Sequence, residues 1–268
     1  MVSARVKFAV FVVVVLGLPG GLMALHDPRI GDLGKLALIL SPAVAGLVLS
    51  WGLGDRGQRA RGSAVALAGG VTVAVVGLAL AVAFIPGVAA FRQPPDGLPI
   101  IARTIGAVAL TSVLEELGWA VGGLRLAVAA FGRRVGVLIL GLVWAAWHLI
   151  PTLLKIGLFP DLEAAPPAML AAFVASCVVY RELLTLLQER ARTWWAAAVG
   201  HAAPNMLVAG LMAAGLGAFD LDAGWWAFPA PGGLFFLAFA LIAVLLVRRT
   251  SAFASRGATP ALPPPPAR

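Results

Sequence analysis

Charge is scarce in this sequence. Asp, Glu, Lys and Arg together make up 12% of it, against 61% hydrophobic residues and a mean hydropathy of +0.97. That scarcity excludes an ordinary soluble domain and makes a multi-spanning membrane protein the expectation. Cysteine is nearly absent too. The one thiol, Cys177, sits inside an apolar run, which rules out a disulfide framework and fits a small packing residue. Histidine occurs at His26, His148 and His201 only, and no His-Glu-x-x-His pair is present. Acidic residues are outnumbered, leaving a formal net charge of +8. In a soluble protein that surplus would suggest nucleic acid. Here the cations lie between apolar runs, where they encode topology and meet anionic lipid, so the bilayer is the expected partner and nucleic acid is not.

What the chain does have is apolar runs of spanning length, near 7–25, 35–53, 64–91, 99–124, 135–156, 168–188, 194–217 and 233–247. They predict an all-α, polytopic integral membrane helix bundle of about eight transmembrane helices, with seven as the alternative count. The third run is long enough for tilt or a loop at Phe91. Breakers mark the joins, among them His26-Asp27-Pro28, Arg92-Gln93-Pro94-Pro95-Asp96, Gly132-Arg133-Arg134 and Pro166-Pro167. Residues 1–247 read as a single transmembrane domain with a motif-bearing core over 98–212. Residues 248–268, ending in four consecutive prolines, read as a disordered cytoplasmic tail. Arg5 and Lys7 before the first apolar run resemble a signal peptide, but with so many later spans a retained first helix is the expectation.

Lysine and arginine placement orients the bundle. With the N-terminus in the cytoplasm, all of the 20 basic residues except Arg29, Lys35, Arg92, Arg103 and Lys155 fall on the inside. Both termini are therefore expected in the cytoplasm of a bacterial-type cell. Small residues four apart are too common at this Gly and Ala content to assign an oligomer.

Three polar groups interrupt these apolar runs: Glu115-Glu116, His148, and His201 with Asn205. An acidic residue at a helix centre costs about 2.5–3.5 kcal/mol on insertion scales, so such groups persist mainly where they face one another or a wet cavity. Counted at about 1.5 Å per residue, each lies roughly 14–21 Å from a cytoplasmic arginine (Arg125, Arg134 and Arg192), which predicts similar depths on the cytoplasmic side of the midplane. Trp144 and His148 share a helix face, as do His201 and Asn205. Pro204 frees the carbonyl of Gly200, and Pro151 that of Trp147. Loosened backbone of this kind is tolerated in a membrane only beside protein or a polar cavity.

Glu115-Glu116-Leu117-Gly118-Trp119, then Trp144 to His148, then His201-Ala202-Ala203-Pro204-Asn205 resemble the three ordered motifs of the CAAX-protease and bacteriocin-processing (Abi) family of intramembrane proteases. That family includes the type II CAAX prenyl endopeptidase. Its patterns are Glu-Glu-x-x-x-Arg, Phe-x-x-x-His and His-x-x-x-Asn/Asp, and the resemblance covers roughly 98–212. Two departures stand out: Trp144 replaces the phenylalanine, and Ala120 occupies the position of the arginine that would pair with the second glutamate. Arg125 or Arg181 is left to reach Glu116 instead, or Glu116 is held protonated by burial.

The resemblance implies an endopeptidase acting on a membrane-associated or lipidated peptide or protein, entering laterally or from the cytoplasm. Glu115 and His148 would activate water, His201 and Asn205 would donate to the oxyanion, and Glu116 would orient the site. These roles leave it open whether a metal takes part. If zinc were used, Glu115, His148 and His201 would be its ligands.

Competing readings are weaker. Gly52-Leu53-Gly54-Asp55 matches a short aspartyl-protease motif but abuts Arg56 and has no Tyr-Asp partner. Intramembrane Glu and His also mark ion pathways, although no internal repeat supports a transporter. Two histidines could bind haem. The loss of arginine at Ala120 favours a catalytically impaired relative acting as an immunity or scaffolding protein. Arg181-Glu182 reads either as a local ion pair or as support for the site, and Trp194-Trp195 and Trp225-Trp226 fit interface anchors.

Overall fold

A backbone without water must bond to itself, so each apolar run closes into a helix. The computed structural model describes residues 2–25, 28–51, 62–91, 96–216 and 219–256. The long helices are α1 (Ala4–Ala24), α2 (Pro28–Ser50), α3 (Gly62–Phe84), α4 (Leu98–Phe131) and α5 (Arg133–Leu153). The short α6 (Pro160–Glu163) precedes α7 (Pro167–Ala191) and α8 (Trp195–Ala213). A short α9 (Leu221–Gly224) and a 3-10 turn lead to α10 (Leu234–Arg256). Among the described residues the only extended pairing is an isolated bridge between Phe91 and Leu216.

Among the described residues, seven helices (α1 to α5, α7 and α8) are long and apolar enough to cross a membrane. The eighth expected span is α10, whose apolar part ends at Val247, before Arg248 and Arg249. The chain is an all-α, multi-pass integral membrane protein. The Gly52–Asp55 match, His26 and the tail past Arg256 lie outside the described residues.

Two features shape the motif-bearing half. First, α4 is not uniform: its α-helical part ends at Glu116, and Leu117–Gly123 forms a π-helical segment before α-helix resumes. Wide turns of this type often sit at functional sites, because they re-aim the side chains around them. Second, that segment lies directly on α2. A Cβ on Gly118 would overlap the backbone of Pro42, and one on Gly122 would overlap the backbone of Gly46. Only glycine allows two backbones to come so close, which is how membrane helices gain contact where no hydrophobic force separates helix from lipid. The Trp147 indole N–H donates to the Leu38 carbonyl at 3.0 Å and ties α5 to the same helix.

The ends of the bundle are chemically distinct. At one end Arg5 reaches the carbonyl of Ala130, Arg133 bridges Glu182 and Glu189, Arg248 pairs with Glu182, and Arg190 donates to Thr250. At the other, the Asp96 amide donates to Ala213 at 2.8 Å and the Asp220 amide to Val88 at 2.9 Å. The first end carries arginine; the second is built of loops.

Candidate active site

Four helices meet around one indole. Trp144 of α5 lies edge-on to His148, with ring centroids 5.6 Å apart, and edge-on to His201 at 5.3 Å. It stacks on Tyr180 at 6.2 Å, and the Arg181 guanidinium sits 4.6 Å from its centroid. The tryptophan in place of the family phenylalanine thus supplies a larger ring with a richer electrostatic face.

Behind the indole, Arg181 of α7 makes a two-pronged pair with Glu116 of α4. Nη1 donates to Oε2 at 2.9 Å and Nη2 to Oε1 at 2.6 Å. The side chains are 1% and 0% exposed, so neither charge meets solvent. This answers the absence of arginine at position 120: Ala120 is itself buried, and the guanidinium arrives from another helix. Arg181 and Glu182 also part company, since Glu182 turns to Arg133 and Arg248. Glu116 Oε1 additionally accepts from His201 Nδ1 at 3.0 Å. Because Arg181 holds Glu116 as a carboxylate, the shared hydrogen belongs to His201.

His148 Nδ1 lies 2.9 Å from the Trp144 carbonyl. A carbonyl only accepts, so Nδ1 carries the hydrogen and Nε2 of the neutral ring keeps its lone pair. The Gly200 carbonyl freed by Pro204 is taken up by the Tyr180 hydroxyl at 2.9 Å. Asn205 donates to Ser112 Oγ at 3.3 Å, leaving its second amide hydrogen. Glu115 Oε2 and Trp144 Nε1 are buried and face each other, but neither has a partner at full hydrogen-bond geometry among the described residues. A carboxylate oxygen left short of a full partner in this way is unusual and marks a place where a polar ligand fits.

A cavity of about 490 Å³ is lined by Glu115, His148, His201 and Asn205, with Trp144 and Ser112 in the same wall. Four of the five residues expected from sequence thus face one space. Glu116 does not line it and supports it from behind. The depth expectation needs revision for His148, which lies only five residues before the end of α5 at Leu153, away from the arginine-rich end. The zinc set also fares differently: no three His, Cys, Asp or Glu side chains among the described residues converge with metal-binding geometry. Trp144 stands beside both imidazoles, and His201 Nδ1 is committed to Glu116.

The model of the family "Type II CAAX prenyl endopeptidase Rce1-like" matches residues 97–207, from the start of α4 into α8, and takes in every residue of this constellation. Residues 97–207 are thus similar to the Rce1-like family. No curated protein matches the chain. The matched stretch overlaps the motif-bearing region read over 98–212, and its likeness is to a family of CAAX-type membrane endopeptidases. Tyr180 and Ser112 were missed by the sequence reading. Tyr180 is the sole tyrosine and adjoins Arg181, and Ser112 lies one turn before Glu116, which are the signals that could have found them.

Proposed function

We propose that the chain is an intramembrane endopeptidase hydrolysing a peptide bond in a membrane-associated or lipidated peptide or protein. The observation carrying this reading is the shared cavity, where the incompletely bonded Glu115 oxygen, His148, His201 and Asn205 meet. A water between Glu115 and His148 Nε2 would lose its proton to this pair as its oxygen attacks the substrate carbonyl carbon. The same proton then passes to the leaving amine as the C–N bond breaks. Positioned acid–base groups of this kind contribute about 10²–10⁴-fold.

His201 and Asn205 face the developing oxyanion in this scheme. Since His201 Nδ1 already donates to Glu116, its Nε2 can donate to an oxyanion only when the ring is doubly protonated. Glu116 is then the counter-charge of an imidazolium, and Arg181 holds Glu116 in register. The second hydrogen of the Asn205 amide supplies the other donor, and such a donor is worth about 10²–10³-fold.

The rival reading, an inactive immunity or scaffolding protein, drew its support from Ala120. Arg181 provides the guanidinium that Ala120 lacks, which weakens that support. The test is cleavage of a fluorogenic peptide in proteoliposomes by Glu115→Gln, His148→Ala and His201→Ala proteins that keep wild-type melting behaviour. Each is expected to lose at least about 10²-fold in rate. Undiminished cleavage by any one defeats the role given to that residue. A Glu115→Gln protein that fully complements a deletion strain favours the scaffold.

A further inference from the structure

The cavity has a floor and a mouth, and they point in a definite direction. On four of the lining helices the lining stops at one level: Glu115 is the lining residue nearest the arginine-rich end on α4, Trp144 on α5, Tyr180 on α7 and His201 on α8. From that level the walls run only the other way, through Ser112 and Asn205 to the loop residues Phe159, Asp161 and Phe228. Beneath the floor the buried Glu116–Arg181 pair and Trp119, 0% exposed, fill the space.

The two ends of the bundle carry very different numbers of cations. Arg133, Arg134, Arg190, Arg192, Arg248 and Arg249 gather at the end below the floor, together with Arg5 and Lys7. At the mouth end the cations within the described helices and loops are Arg29, Lys35, Arg103 and Lys155, amid Asp32, Asp96, Asp161, Glu163, Asp220 and Asp222. Cytoplasmic ends of membrane proteins are the ones rich in lysine and arginine. The mouth therefore opens away from the cytoplasm.

We infer that this domain receives its substrate from the extracytoplasmic face: a peptide segment already across the membrane, its scissile bond lowered between the outer loops to Glu115 and His148. Phe159, Phe173, Phe228 and Phe236 line the route, which suits a segment with apolar residues beside the cleaved bond. A cytoplasmic carboxyl-terminal tail, the entry direction expected from sequence, meets the closed floor. This inference takes the endopeptidase reading of the cavity as its starting point.

Cysteine labelling tests the direction independently of catalysis. Cys177 is the only thiol, so Cys177→Ala gives a clean background. Into it go Asp161→Cys in the cavity mouth, Ala164→Cys on the exposed loop beside it, and Arg134→Cys, exposed at the opposite end. In intact bacterial cells a membrane-impermeant maleimide is expected to label A164C and D161C, and to label R134C only after permeabilisation. Labelling of R134C in intact cells, or of A164C only after permeabilisation, overturns the inference. The companion measurement offers a fluorogenic apolar peptide outside right-side-out vesicles. Outward labelling with no cleavage refutes the endopeptidase reading and leaves the orientation standing, whereas cleavage with inward labelling refutes the orientation alone.

Discussion

Removing the positive half of the Glu116–Arg181 pair leaves a carboxylate with no water and one imidazole for company. Take Arg181→Met, which keeps length and apolar contact but deletes the guanidinium. Charge centres about 4 Å apart interact by about 4 kcal/mol at an effective dielectric constant of about 20. Breaking a buried pair by deleting one partner is measured at about 3–5 kcal/mol in soluble proteins. The two routes agree. On the scale of domains of this size, such a loss lowers the melting temperature by on the order of 10 °C. The assay is thermal unfolding of purified protein in one detergent, followed by loss of the monodisperse peak on size exclusion. Glu116→Gln combined with Arg181→Met is the decisive control. With no bare charge left, most of the lost stability should return, while cleavage stays low because His201 has lost its counter-charge. If the single variant melts with the wild type, or the double variant falls by the sum of the singles, the pair is not the keystone described above.

Other expectations follow from the same contacts. Tyr180→Phe strands the Gly200 carbonyl that Pro204 frees, and should cost about 1–3 kcal/mol in the same unfolding assay. Gly122→Ala forces α4 away from Gly46 of α2 and should destabilise by about 1–3 kcal/mol or more, whereas alanine at Gly70, which faces open space, should be tolerated. Asp161 at the cavity mouth has its carboxyl pKa raised above the ordinary value by burial. The folded chain therefore binds that proton more tightly than the unfolded one, so this group's stabilisation is present at low pH and lost as pH rises through the raised value. Asp161→Asn should accordingly melt higher than wild type near neutrality, and the gap should close as the pH falls below the usual carboxylate range. An undiminished gap at low pH would point to a cause other than titration.

Much of the site was legible because polar residues in apolar runs are conspicuous. Glu115, His148, His201 and Asn205 stood out on cost alone, and Pro204 announced a carbonyl needing a partner. That partner, Tyr180, did not stand out, since a tyrosine in an apolar run costs little and its hydroxyl can bond many things. The sequence offered Arg125 and Arg181 equally to Glu116, and only the docking of α7 on α4 separates them. The π-helical turn was hidden, because Leu117–Gly123 is as compatible with an ordinary helix. So was the contact of Gly118 and Gly122 with α2, lost among 31 glycines. Counting depth from the nearest arginine treated all helices as starting at one level, and that is why His148 was placed too near the arginine-rich end. The cavity mouth is made of loops, about which hydrophobic periodicity is silent.

The guanidinium that steadies Glu116 comes from 65 residues further along the chain rather than from the same helix. During synthesis, α4 leaves the ribosome with its acidic pair while α7 has yet to be translated. A half-made copy therefore holds reactive groups with nothing to align them. Under the proposed endopeptidase reading, the site is complete only after α7 and α8 have been made and have docked on α4.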